Sequence, residues 1–316
     1  MTVKVFIDGE AGTTGLIIRD YLAARRDLEL VSIPERDRKD PEARRDRLNS
    51  ADVVILCLPD AAAVEAVGMV ENPRVRIIDA STAHRTATGW AYGFPEMAPG
   101  QRQLIREAKR VANPGCWPTG VIALLRPLIA SGLLPQNAYV SVHGVSGYTG
   151  GGRSMITEFE DASAPDYTRA VFRTYATGLK HKHLPEMRVH TGLAHAPVFA
   201  PAVGRYDRGM IVEIPLHLAM MASGTTVAAI HAALSAAYRD EPFIEVVSLE
   251  ACAATPTLDP EAVKGSNTLR LHVFGSDDIG QVRLAAVLDN LGKGAAGAAV
   301  QNLNILMGIE EAAGLR

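Results

Sequence analysis

Val3-Lys-Val-Phe-Ile-Asp-Gly9-Glu-Ala-Gly12-Thr-Thr-Gly15-Leu-Ile-Ile runs from a short apolar strand through three glycines into a helix. Val3–Ile7 is the strand, and the helix over Leu16–Arg25 carries Leu16, Ile17, Tyr21 and Leu22 on one side. Gly9, Gly12 and Gly15 at such a junction let the backbone turn tightly and approach a pyrophosphate seated on the helix N-terminus. Thr13 and Thr14 add hydroxyl donors. The G-x-x-G-x-x-G spacing departs from the commoner G-x-G-x-x-G. Alone it also suits a tight turn that binds nothing; the strand–turn–helix setting favours a dinucleotide.

Outward from this turn, apolar runs alternate with helical ones. Leu28–Ile33 reads as a strand, Pro34–Asp40 as a charged loop and Pro41–Leu48 as a polar helix. Val53–Leu58 is a continuous apolar strand, as expected of a parallel sheet buried on both faces. Asp60 can cap a helix reaching Val70, and Val75–Asp79 is another buried strand. This alternation predicts an α/β fold with a Rossmann-like doubly wound parallel sheet over roughly residues 1–115. The loop Ser32-Ile-Pro-Glu35-Arg36-Asp-Arg38-Lys39 bears on the cofactor. An acid there holds a ribose 2′-hydroxyl, an arginine a 2′-phosphate. Glu35 stands about where the acid belongs, but Ser32, Arg36 and Arg38 form the better phosphate cradle. NADP is therefore expected over NAD; a solvated loop that binds nothing is the plain alternative.

The pattern changes at Val111-Ala-Asn113-Pro-Gly-Cys116-Trp-Pro118-Thr-Gly120. Pro114 and Gly115 force a turn, and Pro118 suits the first turn of a helix that Val121, Ile122, Leu124 and Leu125 continue. Cys116 is thereby set at a helix N-terminus, where free amides favour a thiolate and hence a nucleophile. A small buried core thiol is the bland alternative. Beyond it, Tyr139–Val145, Met210–Ala219 and Glu245–Leu249 read as strands, Ser146–Ser154 as a glycine-rich loop and Gly224–Tyr238 as a helix. Asn267–Phe274 and Gln281–Leu288 pair across a turn, and Gly294–Ala313 is one long helix rich in small residues. These features predict an α+β second domain with a mixed sheet.

Length and composition narrow the classes. A chain of 316 residues accommodates one large or two medium domains. A net charge of −3 gives no general attraction to nucleic acid or to an anionic membrane. No apolar run reaches the roughly 20 residues of a membrane span, and the first residues enter a strand without the pattern of a signal peptide. The three cysteines are far apart and show neither disulfide nor metal-ligand spacing, which fits a reducing cytoplasm.

His181-Lys-His183-Leu-Pro-Glu186 sets two histidines two residues apart; in an extended segment both point the same way. One of them paired with Cys116 would move a proton. A zinc site is the rival, but no third ligand stands nearby, and no metal is expected. Ser146-Gly147-Tyr-Thr-Gly-Gly-Gly-Arg153-Ser154 offers amides, hydroxyls and a guanidinium suited to an anion. Arg85, in Asp79-Ala-Ser81-Thr-Ala-His84-Arg85, follows a buried strand whose carboxyl end is where such sheets bind ligands. A flexible loop and an ordinary surface ion pair are the plainer readings of these two segments.

Read together, Gly9-x-x-Gly12-x-x-Gly15, Asp79-x-Ser81, Tyr92-Gly-Phe-Pro-Glu96, Asn113-Pro-Gly-Cys116, Ser146-Gly147, His181-x-His183-x-Pro-Glu186, Phe199-x-Pro201, Arg208-Gly-Met210 and Asp289-Asn-Leu-x-Lys293-Gly-Ala-Ala-Gly297-x-Ala-Val-Gln-Asn302 follow one order. The chain resembles the short-form (type 2) N-acetyl-gamma-glutamyl-phosphate reductases of arginine biosynthesis, within the semialdehyde dehydrogenase superfamily. The resemblance runs from the first strand to the last helix. The related aspartate-semialdehyde dehydrogenases share fold and cysteine nucleophile, but His-x-His-x-Pro-Glu points to the arginine branch.

The resemblance implies reduction of an acyl phosphate by NADPH through a thioester on Cys116. It implies His183 as acid–base group with His181 beside it, and Asn113 and the Cys116 amide as oxyanion donors. Ser146, Gly147, Arg153, Arg85 and Glu186 would bind substrate. Pro59, Ser81, Asn290 and Lys293 would join Gly9, Gly12, Gly15, Thr13, Thr14, Ser32, Arg36 and Arg38 at the cofactor. It further implies a dinucleotide-binding domain of residues 1–115 and 294–316, its last helix closing against the nicotinamide end. Residues 116–293 would form a semialdehyde-dehydrogenase-type catalytic and oligomerisation domain. A homodimer or homotetramer is expected. The same chemistry on an aspartyl or aminoadipyl phosphate, or a non-catalytic NADP-binding sensor, are the alternatives.

Overall fold

A computed structural model describes residues 2–37 and 40–315; Arg38, expected at a 2′-phosphate, lies outside them. The chain divides into two compact units, Met1–Gly115 with Ala295–Arg316, and Cys116–Gly294.

The first unit opens with β1 (Val3–Asp8), α1 (Thr13–Leu22), β2 (Leu28–Val31), α2 (Pro41–Ser50), β3 (Val53–Leu56), α3 (Asp60–Gly68) and β4 (Arg76–Asp79). It continues through β5 (Ala91–Tyr92), α4 (Gln101–Glu107) and β6 (Arg110–Ala112). The six strands are parallel, in the order β2-β1-β3-β4-β6-β5. Alternate residues of the strands face opposite sides. Val5, Ile7, Val53, Ile55 and Ile78 share one core with Ile18 and Leu22 of α1. Phe6, Val54, Leu56 and Ile77 share the other with Leu48, Ala63 and Ala66 of α2 and α3. The sheet is therefore doubly wound, as the sequence indicates. Its order reverses between β1 and β3, and the carboxyl ends of those strands form the crevice where such sheets take ligands.

The second unit begins with α5 (Cys116–Ala130), β7 (Ser141–Gly147), α6 (Gly152–Glu160), β8 (Phe172–Thr174), α7 (Leu184–Thr191), β9 (Val198–Gly204) and β10 (Met210–His217). α8 (Val227–Ala237), β11 (Ile244–Val246), α9 (Leu249–Ala253), β12 (Leu269–Ser276) and β13 (Gln281–Leu288) complete it. Its mixed sheet has the order β11-β12-β13-β10-β7-β9-β8. α5, with Val121, Ile122, Leu124 and Leu125 fully buried, packs on β10 and β13. The opposite face, with His143, Pro215, His217, Gln281 and Arg283, is exposed and lines a groove of about 590 Å³.

Three segments differ from the sequence reading. Ser146–Ser154 is not a loop: β7 runs to Gly147, a 3-10 turn follows over Tyr148–Gly151, and α6 starts at Gly152. The last helix is shorter and starts irregularly, with a π turn over Gly292–Ala296 and then α10 (Gly297–Met307). Gly308 (φ 69°) ends it in the left-handed conformation that glycine adopts cheaply. The His181–His183 segment is not extended either, because Leu184–Thr191 is helical and the Leu184 amide already bonds His181 O. α10 returns to the first unit, against α1, α4 and β4. Among the described residues no helix is long and apolar enough to cross a membrane.

Gly120 is the tightest point between α5 and its sheet. A Cβ there would lie 2.9 Å from Val212 Cγ2 and 3.3 Å from Ala286 Cβ. Gly120→Ala is expected to lower unfolding free energy by about 1–3 kcal/mol, the usual cost of overpacking, in urea titration. An unchanged midpoint would show that the sheet yields freely.

Candidate active site

The glycine turn of the first unit fits a dinucleotide. A side chain at Gly9 (φ 87°) would strike Cys57 O at 2.4 Å, and one at Gly15 would strike Gly9 O at 2.5 Å. Gly12 stands at the N-cap of α1 and has no side chain to occupy the helix amides. Backbone donors of Thr13, Thr14 and Gly15 are thus open to a pyrophosphate. Asp8, buried at the end of β1, accepts from Arg44 Nε at 2.8 Å, and burial outweighs that arginine to push its carboxyl upward. Burial, then Asp79 and Asp8, pushes the neighbouring Cys57 thiol up to about 12, so Cys57 is an inert thiol. Ser32 and Arg36 are exposed, and Pro59 is the N-cap of α3.

Further along the sheet, Asp79 ends β4 with 0% exposure. It accepts from Ser81 N at 2.9 Å and Ser81 Oγ at 2.7 Å, and it meets His84 Nδ1 at 2.6 Å. Arg85, buried, donates from Nε to Asn113 O at 2.9 Å and from Nη2 to Ala80 O at 3.1 Å. Asn113 itself is held at every polar group. Its amide donates to Asp79 O and its Nδ2 to Ala295 O, while its Oδ1 accepts from Asn302 Nδ2 at 3.0 Å. Asn302 Nδ2 also donates to Gly93 O at 2.9 Å. The turn that delivers Cys116 is thus fixed three residues upstream.

In the second unit Cys116 is the first residue of α5. Its Cβ lies against Gly294, where an added Cβ would be 2.7 Å away. The next residue, Trp117, donates from Nε1 to Tyr175 OH at 3.0 Å and meets Phe199 edge-on at 5.1 Å. Phe199 also meets His181 at 5.1 Å, and His181 packs edge-on against His183 at 4.7 Å. The structure thereby brings the two sequence-selected histidines to the aromatic cluster beside Cys116. The His183 amide donates to His181 Nδ1 at 3.1 Å, which leaves the His181 proton on Nε2. Tyr175 was not legible in sequence: burial, then the charge of Cys116, raises its phenol. The segment after it is strained, with Ala176 (φ 54°) and Leu179 (φ 55°) in left-handed conformations.

The other expected ligands of the second unit lie on β7, α6, α7 and the turn after β13. Ser146 and Gly147 end β7 under the Asp207–Gly209 turn, where the Gly147 amide bonds Gly209 O. Asn290 accepts from Gly209 N at 2.7 Å and donates to Thr149 Oγ1 at 3.1 Å, so both ends of its amide bind protein. Lys293 is 1% exposed, its ammonium 5.5 Å above the Phe243 ring. Arg153 is exposed in the first turn of α6, and Glu186 is buried in the first turn of α7. Among the described residues no three His, Cys, Asp or Glu side chains gather as a metal site.

Residues 116–290 match the family described as semialdehyde dehydrogenase, dimerisation domain. The N-acetyl-gamma-glutamyl-phosphate reductase of Brucella ovis is 53% identical over 98% of this chain and all of its own length. That of Sinorhizobium medicae is 54% identical over 97% of this chain and 99% of its own. Aspartate semialdehyde dehydrogenase II of Vibrio cholerae, complexed with ASA, superposes with a TM-score of 0.73 at 13% identity, over 97% of this chain and 98% of that one. The Candida albicans enzyme with NADP gives 0.66 at 13% identity over 97% and 99%.

Burial, then Lys182, pushes the His181 imidazole down to about 4. The folded protein keeps it neutral where the unfolded chain would take up a proton near its ordinary value of about 6.5. The stability this ring contributes is complete above about pH 6.5 and is lost as pH falls towards about 4. Urea midpoints are expected to drop across that window, and His181→Asn to make the drop shallower. Equal slopes for the two proteins would contradict this assignment.

Proposed function

Because the chain belongs to the N-acetyl-gamma-glutamyl-phosphate reductases of the semialdehyde dehydrogenase superfamily, we propose that Cys116 carries the acyl group through this family's reaction. The protein is an NADP-dependent oxidoreductase. It converts N-acetyl-L-glutamyl 5-phosphate to N-acetyl-L-glutamate 5-semialdehyde with release of phosphate, in arginine biosynthesis. The observation that carries the residue assignment is the start of α5, where Cys116 stands beside Trp117, Tyr175 and the His181–His183 pair.

The Cys116 thiolate attacks the acyl carbon; a C–S bond forms and the C–O bond to phosphate breaks, its electron pair leaving with phosphate. The crevice residues would hold NADPH, which when bound would supply a hydride to the thioester carbon. Cys116 would then leave as thiolate as its C–S bond breaks, releasing the aldehyde. Splitting the reaction at a thioester replaces one hard step by two easier ones. The helix amides at α5 favour both the thiolate and the developing oxyanion. His183 would give a proton to the departing phosphate oxygen as the C–O bond breaks, while His181 is held neutral and is fixed by the His183 amide. Arg153 and Glu186 belong to the substrate side. Gly9, Gly12, Gly15, Thr13 and Thr14 would hold the pyrophosphate, with Ser32 and Arg36 at the 2′-phosphate and Pro59 and Ser81 along the crevice.

Arg85, Asn113, Asn290 and Lys293 are better read as supports. Their polar groups are spent on neighbouring backbone and side chains, or, for Lys293, sealed over Phe243. The exposed face of the mixed sheet suits self-association into a homodimer or homotetramer, and the cytoplasm is the setting of such chemistry.

Phosphate-dependent reduction of NADP by N-acetylglutamate semialdehyde tests the activity, with aspartate semialdehyde as the competitor. Turnover of the first and not the second is expected; the reverse would overturn the substrate. Cys116→Ser should abolish turnover and leave NADPH affinity within about twofold, and an active Ser variant would exclude the covalent route.

A further inference from the structure

His84 stands at the carboxyl end of β4, beside the strand that borders the point where sheet order reverses. Its ring is fixed on two sides. Nδ1 meets the fully buried Asp79 carboxylate at 2.6 Å, and one face stacks on Trp90 at 4.1 Å and 15°. Arg110 lies on the same indole, 5.8 Å from its centre. The loop that carries the ring is tied down as well: Thr82 N donates to Asp60 Oδ1 at 2.8 Å, and Arg85 Nη2 donates to Ala80 O. Among the described residues, Nε2 is the ring nitrogen left for a ligand once Nδ1 meets Asp79.

Two buried carboxylates stand along this edge of the sheet. Asp8 and Asp79 end β1 and β4 and both act on Cys57, which follows β3. Arg44 pairs with Asp8. His84 Nδ1 is engaged by Asp79, which leaves Nε2 as the ring atom to meet a ligand. Beside buried carboxylates that atom suits a hydroxyl, which can donate or accept, better than a phosphate. In doubly wound sheets the glycine turn after β1 takes the pyrophosphate, with the adenosine half over β1 and β2. The β4 side is left to the nicotinamide half.

From these contacts, and resting on the dinucleotide reading of the crevice, we infer that His84 binds a ribose hydroxyl of the nicotinamide half of the cofactor. Asp79 and Trp90 are its positioning residues. Sequence gave His84 little weight because nothing local marks it; the Asp79 contact spans a tight loop and the Trp90 contact a longer one.

His84→Asn separates this role from a purely structural one. Asparagine keeps an amide donor where Nδ1–H bonds Asp79, and removes Nε2. NADPH and adenosine 2′,5′-bisphosphate, which lacks the nicotinamide half, are titrated against the whole protein by fluorescence and calorimetry. The expected result is NADPH binding weakened about tenfold with bisphosphate binding unchanged. His84→Gln, whose amide reaches the Nε2 position, should recover part of that affinity. NADPH binding at wild-type strength in His84→Asn would reduce the ring to a partner for Asp79 and overturn the inference. Equal loss of both ligands would also overturn it, by showing a general disturbance of the crevice. Failure of the unaltered protein to bind either ligand would instead defeat the dinucleotide reading itself.

Discussion

The chemistry proposed for this chain depends on how one turn is held. Asn113 precedes the proposed nucleophile by three residues, and its amide, carbonyl and both side-chain ends are bonded to Asp79, Arg85, Asn302 and Ala295. These partners come from β4, the loop after it, and the last helix. A buried amide left without partners costs on the order of 1–3 kcal/mol, so the arrangement is all or none. Pro114 and Gly115 then leave little freedom before Cys116 enters α5.

The same economy governs the buried charges. Asp8 pairs with Arg44, Asp79 with His84 and Ser81, and Asp289 with Arg208 at 2.7 Å. Asp289 also accepts from the amides of Gly265, Leu291 and Gly292, which shapes the π turn leading to α10. A buried carboxylate is tolerated only when compensated in this way. Such compensation fixes loop positions, which is why the acids cluster at strand ends and at the π turn, where the backbone must hold one shape.

Much of the first unit was legible because its signals are local. The glycine turn, the apolar runs Val53–Leu58 and Val75–Asp79, and the helices between them each declare themselves within a few residues. Cys116 was legible for the same reason, since Pro and Gly before it and Pro118 after it dictate turn and helix. The histidine pair was found for a partly wrong reason: His181 and His183 meet through a turn at the start of α7, not through strand alternation. Tyr175 acts through contacts distant in sequence, with Trp117 and His181, and a single chain carries no local mark of those. For Lys293 and Asn290 the local motif does not show the burial and partners that packing around Phe243 and Thr149 sets.

The central claim is a covalent bond between Cys116 sulfur and the acyl carbon. Intact-protein mass spectrometry after rapid mixing with N-acetylglutamyl phosphate, in the absence of any nicotinamide cofactor, reads it directly. The account requires one N-acetylglutamyl increment per chain, mapped by peptide analysis to Cys116 and discharged when NADPH is added. An unmodified chain, or an increment on another residue, would contradict it.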